Sequence, residues 1–195
     1  MCVVQDEIKD YYDIAYIHEK RYDRKREKLG KIKELDVLKK MGIKTIEIGR
    51  VSNMFSSSGK VIVYTDIYKH NGIGKKIVDI HVAKMMYPNY MCTEYFEGIT
   101  RIQKMVQVGE RKFMCNIDVN GLKEEKWVSI EERKKGYNYK VGLPIYSIDY
   151  LEVGSEFIAC DFNEIQKLDG TGIDLLMTKD EVADEIHKAL DKYKK

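Results

Sequence analysis

Several residue types that mark specialised proteins are scarce in this chain. Its 195 residues include only two prolines, one tryptophan, four histidines and four cysteines, and the net charge is +2. The histidines are isolated from one another, so they do not have the close spacing of zinc ligands. A net charge so near zero does not favour a generally cationic protein that binds nucleic acid.

The cysteines are also far apart and include no C-x-x-C pair. They lie at Cys2, Cys92, Cys115 and Cys160. This pattern is typical of reduced cysteines in the core of a cytosolic protein. No apolar run in the sequence approaches the roughly 20 residues of a membrane span, and its start lacks the apolar core of a signal peptide. We therefore expect a cytoplasmic protein without a membrane partner.

The chain does contain enough apolar residues for a core, with 44% hydrophobic and 34% charged residues. Its length suits one generous domain or two small lobes. Helical spacing of apolar residues predicts helices over 1–28, 31–40, 78–86 and after Thr178, where Thr178 and Glu181 match a capping box. Apolar and alternating runs predict strands over 45–51, 60–68, 91–96, 101–108, 112–119, 144–151 and 156–163. Strands in hairpins with helices interspersed predict an α+β fold with antiparallel sheets.

The first 30 residues form a basic amphipathic segment. Ile8, Tyr11, Tyr12 and Tyr22 recur at helical spacing, and the second half, 20–28, is rich in lysine and arginine. Basic residues in a last turn offset the helix dipole, so a solvated face is the main interpretation. The alternative is an RNA or DNA contact made with the tyrosines, which would weaken steeply with added salt.

The strongest functional pattern lies in the last predicted hairpin. Asp161 and Asn163 are separated by one residue, so both side chains project from the same face of a strand. Asp149 lies in the preceding strand, and pairing across the predicted turn at 152–155 brings it beside Asp161. Two carboxylates and an amide oxygen suit a hard cation such as Mg²⁺. The alternative is an ordinary hairpin whose polar residues face water.

These residues resemble the metal-binding strands of the ATP-grasp fold, the scaffold of ATP-dependent carboxylate–amine ligases. In that family an Asp, followed about a dozen residues later by an acidic-x-Asn strand, binds the Mg²⁺ ions of ATP. Asp149, Asp161 and Asn163 match the pattern in type and spacing, and the similarity runs from about Lys31 to the C-terminus. The loop after the Asn departs from the family, because Gln-Lys at 166–167 stands where Pro-Gly is usual.

The resemblance implies two small lobes whose antiparallel sheets sandwich a nucleotide cleft. After the basic segment 1–30, the smaller, nucleotide-clamping lobe would span 31–92 and the larger lobe 93–195. The segment between them is similar to the family's hinge strand, whose backbone bonds the adenine edge and which has a nearby acid for the ribose. The implied ATP-binding residues of this hinge are Glu94, Tyr95, Phe96 and Glu97, the last of them being the ribose candidate.

Positive charge for the phosphates is implied at two places. Lys31 is similar to the family lysine that begins a helix ending in Gly-Ile and reaches the α-phosphate. The second family lysine is replaced by Thr65, and the nearest basic residue is Lys69 in the following loop. Gly72 and Gly74 in that loop would let backbone N–H groups approach phosphate oxygens. Either Lys69 substitutes from the loop or phosphate binding is weakened, and the loop alone could equally be a plain turn.

Two arginines are implied as catalytic groups around the transferring phosphoryl. Arg101 begins the strand after the hinge, as in the family, and Arg133 lies in the segment before the metal strands. The alternatives are a surface strand residue for Arg101 and a solvated helix over 131–138 for the segment that contains Arg133.

The resemblance therefore implies an ATP-dependent ligase that forms an amide through an acyl-phosphate, with ATP and Mg²⁺ as cofactors. Its partners would be a carboxylate and an amine substrate. The family's usual first domain has no counterpart ahead of Lys31, so the acceptor would be held by a partner subunit or second copy, or would itself be a protein or peptide. The alternative, favoured by Thr65 and the changed loop, is a protein that binds a nucleotide or partner without turnover.

Overall fold

The computed structural model describes residues 30–67, 74–99, 101–120, 124–133, 143–163, 168 and 171–193. Three α-helices lie in these ranges: α1 (Lys31–Lys40), α2 (Ile80–Met86) and α3 (Lys179–Tyr193). The helix predicted over 1–28 lies outside the described residues, and so do Lys69 and Gly72 of the glycine loop.

Nine strands in the described ranges form two sheets, and every pairing between strands is antiparallel. The smaller sheet contains β1 (Ile48–Arg50), β2 (Lys60–Tyr64), β3 (Lys75–Asp79) and β4 (Met91–Glu94), in the order β1-β4-β2-β3. The larger sheet contains β5 (Arg101–Val108), β6 (Arg111–Asn120), β7 (Glu124–Glu132), β8 (Ile145–Val153) and β9 (Glu156–Asn163), in the order β7-β6-β5-β8-β9. The predicted α+β class with antiparallel sheets is confirmed.

The structure adds two strands, β3 and β7, that the sequence patterns do not predict. The helix predicted over 78–86 begins at Ile80, because Asp79 ends β3 and caps α2. Its carboxylate accepts hydrogen bonds from two N–H groups of the first helical turn at 2.8 and 3.2 Å, which satisfies donors that have no partner inside the helix. The alternative of a solvated helix over 131–138 is wrong at its start, because residues 131 and 132 belong to β7.

Helix α1 packs against the larger sheet. Its Leu35 and Leu38 are fully buried in an apolar cluster with residues of β8 and β9, including Ile148 and Phe162. The family resemblance implies that this helix belongs to the smaller lobe, at 31–92. Its buried side chains nevertheless pack against the larger sheet, so α1 contacts the strands that carry the aspartates.

Helix α3 covers the opposite face of the same sheet. Val182 and Ile186 pack with Phe113 of β6 in a second apolar cluster. The predicted capping box is confirmed at the start of the helix, where the hydroxyl of Thr178 accepts from the N–H of Glu181 at 3.2 Å. In return, the N–H of Thr178 donates to the Glu181 carboxylate at 2.7 Å. The larger sheet thus has a helix packed on each of its faces.

The outer edge of β9 is covered by the chain that follows α1. The N–H of Ala159 donates to the carbonyl of Lys44 at 2.9 Å, and the carbonyl of Ala159 accepts from the N–H of Ile46 at 2.9 Å. An uncovered edge strand is a template for pairing with other chains. These bonds therefore fix β9 between β8 and the main chain at 44–46.

The smaller sheet has its own core beneath α2. Val61, Val63, Ala83 and Cys92 are fully buried there. The three described cysteines, one each on β4, β6 and β9, are free thiols, which agrees with the predicted strand-borne, reduced cysteines. None of the described helices is long and apolar enough to cross a membrane.

The turn between β5 and β6 provides a first test of how α3 is seated. Gly109 has a φ of +59°, and a Cβ added there would lie 2.5 Å from the carbonyl oxygen of Glu185 in α3. We expect Gly109→Ala to lower the free energy of unfolding by about 2–3 kcal/mol, because strain at positive φ is joined by a clash with the helix backbone. Urea denaturation followed by circular dichroism measures the change.

The matched control is Gly154→Ala in the turn between β8 and β9. Gly154 also has a positive φ, +63°, but no heavy atom lies within 4 Å of an added Cβ. This variant is expected to lose only about 1 kcal/mol, from backbone strain alone. Equal losses in the two variants would contradict the close seating of α3 on the β5–β6 turn.

Candidate functional site

The predicted trio is brought together by the pairing of β8 with β9. Asp149 lies directly opposite Asp161, and Ser147 lies opposite Asn163. The side-chain amide of Asn163 lies 3.3 Å from a carboxylate oxygen of Asp161 and 3.4 Å from the hydroxyl of Ser147. The predicted approach of Asp149 to Asp161 is therefore confirmed, with the Asn163 side chain in hydrogen-bond contact with the second carboxylate.

A β-bulge in β9 produces this alignment. Tyr150 pairs with Ala159 and Asp149 pairs with Asp161, so Cys160 is an extra residue with no partner opposite it. Continuing the register of the turn without the bulge would place Cys160 opposite Asp149. It would also direct Asp161 to the face that α1 buries. The extra residue thus brings the two carboxylates to one face.

Two lysines contact the paired carboxylates. Lys104 of β5 lies opposite Asp149 in the register, with its Nζ 3.3 Å from Asp149 Oδ1. Lys31, at the start of α1, contacts Asp161 Oδ1 through its Nζ and also lies 3.2 Å from Glu34 Oε2. Both lysines and Glu34 are less than 10% exposed. The result is a mostly buried cluster of two cations and three carboxyl groups.

The ion pair between Lys31 and Asp161 holds both groups in their charged forms. Burial works to lower the pKa of Lys31, but the carboxylates of Asp161 and Glu34 raise it above its usual value. Burial likewise works to raise the pKa of Asp161, yet the charge of Lys31 holds it below its usual range, helped by Lys75 and Lys104. A compensated buried pair of this kind is costly to break by removing one partner.

Glu34 behaves differently from the two aspartates. Burial raises its pKa to about 7, in spite of the opposing effect of Lys31. A carboxyl whose pKa is higher in the folded than in the unfolded protein reduces stability as pH rises between the two values. We therefore expect the protein to lose stability, on the order of 2 kcal/mol, between pH 4.5 and pH 7.

Glu34→Gln tests this directly, because the amide fills the same space and can accept from Lys31 without titrating. Melting temperatures should fall across the window from pH 4.5 to 7 in the wild type and stay level in Glu34→Gln. The stability that Asp161 contributes changes only below its ordinary pKa of 3.8, outside this window. Glu156→Gln, which removes an exposed carboxylate from β9, is the control and should keep the wild-type slope. A persisting slope in Glu34→Gln would refute the assignment.

The smaller sheet reaches this cluster from the other side. The N–H of Lys31 donates to the carbonyl of Ile67, just after β2, at 3.3 Å. Tyr64 of β2 is 4% exposed and shares a hydrogen bond of 3.2 Å with Thr93 of β4. Lys75 of β3 lies with its Nζ 5.9 Å from the centre of the Tyr64 ring. Tyr64 of the smaller sheet therefore lies close enough to act on the charge of Lys31, together with Asp161 of the larger sheet.

Thr65, which stands where the family has a lysine, bonds to the end of the glycine loop. Its N–H and its hydroxyl donate to the carbonyl of Gly74 at 2.7 and 3.0 Å. Gly74 has a φ of +74°, and an added Cβ would lie 3.0 Å from Asp66. Since Lys69 and Gly72 lie outside the described residues, their phosphate contacts stay predictions. Lys75, one residue after Gly74, does lie within the described residues, and its positive charge helps to lower the pKa of Asp161.

The hinge segment joins the two sheets but is already engaged by neighbouring groups. The N–H and hydroxyl of Ser57 donate to the Glu94 carboxylate at 2.6 and 2.5 Å. The Tyr95 carbonyl accepts from a serine hydroxyl at 2.5 Å, and its N–H donates to the Lys60 carbonyl at 3.1 Å. Glu97 forms an ion pair of 2.6 Å with the side chain of Lys60. Phe96 is half-buried against the α1 cluster. Adenine and ribose contacts stay predictions for these residues.

The two predicted catalytic arginines lie apart from the carboxylate row. Arg101 pairs with Asp118 at 3.6 Å and is three residues from Lys104 on the same strand, so the two side chains project from opposite faces. Arg133 follows β7, at the opposite edge of the sheet from β9, and contacts Glu131 at 2.8 Å. A catalytic role for either arginine stays a prediction.

Three charged residues of the cluster were not among the sequence-predicted site residues. Glu34 could have been found from its position three residues after Lys31 in a predicted helix, which places both side chains on one face. Lys104 interrupts an apolar strand, but its position beside Asp149 depends on the pairing of β5 with β8. Lys75 directly follows Gly74 in the predicted glycine loop, whose lysines would neutralise phosphates, although the sequence singles out Lys69 among them.

The oxygen-bearing side chains of the trio suit a Mg²⁺ ion that is also bound to a phosphate. In the part of the chain that the structure describes, no three histidine, cysteine, aspartate or glutamate side chains form a metal-binding group. What Asp149, Asp161 and Asn163 offer is two carboxylates and an amide oxygen. Mg²⁺ is commonly bound by one or two carboxylates together with water and substrate phosphates. The residues therefore fit the ion as part of a nucleotide complex.

Comparison with solved structures identifies the fold. D-alanine–D-alanine ligase from Bacillus anthracis, complexed with ATP, matches 85% of this chain and 67% of its own length, with a TM-score of 0.50 and 14% identity. Macrocyclase MdnC from Microcystis aeruginosa, bound with precursor peptide MdnA, matches 80% of this chain and 58% of its own, with a TM-score of 0.53 and 13% identity. The ATP-grasp ligase PsnB, complexed with minimal precursor, gives the same coverages and TM-score at 10% identity.

These likenesses show that the chain has the ATP-grasp fold, as the sequence resemblance implies. The chain spans 67% of the first of these proteins and 58% of the other two. No model of a known protein family matches the chain, and no curated protein matches it.

Proposed function

We propose that the chain binds Mg-ATP between its two sheets and uses it to join a carboxylate to an amine. The observation that carries the proposal is the row formed by Lys104, Asp149 and Asp161, with Lys31 reaching the row from the start of α1. Charged groups are rarely buried unless they pair or bind a ligand. Here two lysines and two aspartates are gathered where groups of both sheets meet, which suits a polyphosphate and its cation.

The roles of the chain's own residues follow from their charges and positions. Asp161 and Asn163, with Asp149 beside them, would hold Mg²⁺, which supplies charge neutralisation to the phosphates when bound. Lys31 lies between the sheets and can contact a phosphate oxygen while Glu34 keeps its ammonium compensated. Lys75, on β3, adds positive charge from the smaller sheet. Together these groups would orient the nucleotide for attack at its terminal phosphate.

The proposed reaction needs positioning rather than a nucleophile from the protein. An oxygen of the substrate carboxylate attacks the γ-phosphorus, the bond to the β–γ bridging oxygen breaks, and ADP leaves with the electron pair. The amine nitrogen then attacks the acyl carbon, inorganic phosphate leaves, and the amine proton passes to solvent. Burial raises the pKa of the thiols of the described cysteines, which favours their neutral form, so the proposal assigns them no role as nucleophiles.

For the acceptor we propose a peptide or protein carboxylate. Two of the solved structures named above were obtained with precursors bound, one of them a precursor peptide.

The test is ADP release on incubation with Mg-ATP and a panel of carboxylates and amines that includes peptides with acidic side chains. Amide formation predicts one ADP released for each amide detected by mass spectrometry. Glu156→Gln is the control, since it changes an exposed carboxylate at the turn end of β9. Binding of Mg-ATP without ADP release under every pairing would favour the second candidate, and failure to bind Mg-ATP would refute both.

That second candidate is a protein that binds a nucleotide without turnover. Two observations favour it: the hydroxyl of Thr65 bonds to the backbone of Gly74, and Arg101 and Arg133 pair with acidic residues away from the carboxylate row. A cleft that binds ATP without arginines near the transferring phosphoryl group would keep its affinity for ATP but transfer the phosphoryl group more slowly.

A further inference from the structure

Lys104 is the charged residue of the cluster that the proposed reaction does not use. It lies inside β5 and is 9% exposed. Its Nζ is 3.3 Å from Asp149 Oδ1, and the two residues are direct neighbours across β5 and β8. A lysine so enclosed does not sample the solvent freely, so the strand pairing fixes its ammonium beside Asp149.

The other neighbour of Lys104 in the sheet provides no competing charge. On β6, the residue opposite Lys104 is Cys115, which is fully buried. Burial raises the pKa of Cys115 to about 12, so its thiol stays neutral. Among the residues directly opposite Lys104 on the two adjacent strands, Asp149 is therefore the anion.

The two aspartates differ in their access to an incoming cation. The Asp149 side chain is 14% exposed, whereas that of Asp161 is 29% exposed. The partner of Asp161, Lys31, also contacts Glu34 and keeps that carboxyl group as a hydrogen-bond partner if Asp161 binds a metal ion. Asp161 can thus turn to a metal ion while Lys31 stays bonded within α1. Lys104, by contrast, is held beside Asp149 by the register of β5 and β8, so the ammonium cannot leave the carboxylate without leaving its place in the sheet.

We propose that the Lys104 ammonium occupies the place of a divalent cation at Asp149, so that one Mg²⁺ binds per nucleotide, at Asp161 and Asn163. The inference rests on the proposed function of the cleft. It departs from the sequence resemblance, which implies that all three side chains bind the Mg²⁺ ions of ATP. In this chain Asp149 neutralises a fixed lysine and holds it on the metal-binding face.

The first experiment needs no nucleotide and uses Mn²⁺ as the probe, followed by electron paramagnetic resonance. Lys104→Met keeps the length and apolar character of the stem and removes the charge. We expect Lys104→Met to bind Mn²⁺ at least about tenfold more tightly than the wild type, because Asp149 then faces Asp161 without its cation. Lys104→Arg, which keeps the charge, should behave as the wild type does.

Lys112→Met is the matched control. Lys112 is also 9% exposed and lies on β6 of the same sheet, opposite Gln107 rather than an aspartate. This variant should leave Mn²⁺ affinity within twofold of the wild type. Equal Mn²⁺ affinity in the wild type and Lys104→Met, with melting curves that show both to be folded, would overturn the proposal.

The second experiment counts metal ions on the nucleotide complex by equilibrium dialysis with a non-hydrolysable ATP analogue. We expect one Mn²⁺ per bound nucleotide in the wild type and two in Lys104→Met. Two in the wild type would overturn the proposal while leaving the proposed function intact. Absence of bound nucleotide in the wild type would refute the proposed function and the metal count with it, whereas the nucleotide-free measurement would still decide whether Lys104 blocks a cation at Asp149.

Discussion

Asp161→Asn is expected to lower the affinity for Mg-ATP by on the order of a hundredfold while leaving the affinity for metal-free ATP unchanged or higher. The amide keeps the shape of the side chain but loses the charge that attracts Mg²⁺. It also releases Lys31 from its ion pair, so that the ammonium is available to a phosphate. The signature is therefore a loss of metal dependence, and simple unfolding would not produce it.

Isothermal titration with ATP in excess Mg²⁺ and in excess EDTA measures both affinities. Glu156→Gln changes a carboxylate of the same strand that is 59% exposed and pairs with Lys44, and it should reproduce the wild-type values. An equal loss of affinity in Mg²⁺ and in EDTA would indicate a general effect on the cleft. That result, or no loss at all, would contradict the metal-binding role of Asp161.

Phe113→Ala is expected to lower the free energy of unfolding by about 3–5 kcal/mol. The Phe113 ring is fully buried between the larger sheet and α3, and the guanidinium of Arg111 lies 5.5 Å from its centre. Truncation removes this apolar surface and leaves a cavity that the helix and sheet cannot close without moving. For a chain of this length the melting temperature should fall by roughly 10 °C.

The control for size and chemistry is Phe157→Ala. Phe157 lies on β9 of the same sheet and is 39% exposed, so its truncation opens no enclosed cavity. It should change stability by about 1 kcal/mol or less. A comparable loss in the two variants would contradict the position of Phe113 at the centre of the α3 cluster.

The local patterns of the sequence predict much of the fold. The strand predicted over 101–108 matches the bounds of β5, and Thr178 with Glu181 predicts the start of α3. The patterns do not predict elements or packing that depend on contacts between distant parts of the chain. Strand β3 is short, and residues 75–77 have little apolar character of their own, so its existence depends on pairing with β2. The packing of α1 on the larger sheet likewise has no signal in the helix itself.

Some residues of the candidate site are likewise predicted from local patterns, and others depend on distant strand pairing. Asp149, Asp161 and Asn163 are found from type and spacing, because the hairpin that carries them is local. Lys104 is 45 residues before Asp149 and becomes part of the site only through the pairing of β5 with β8. No local pattern contains that pairing, so the resulting charge balance of the site could not be predicted from the sequence.

The extra residue in β9 has a consequence for recognising related chains by the distance between their metal-binding acids. A two-residue turn at Gly154 and Ser155 would, in a regular hairpin, set Asp149 opposite a residue eleven positions later, and Cys160 lengthens this to twelve. The number of residues between the two acids therefore depends on the length of the turn and on any bulges, and metal binding itself does not fix it. A relative with a regular β9 would carry its second acid one position earlier, and a search with a fixed interval would miss it.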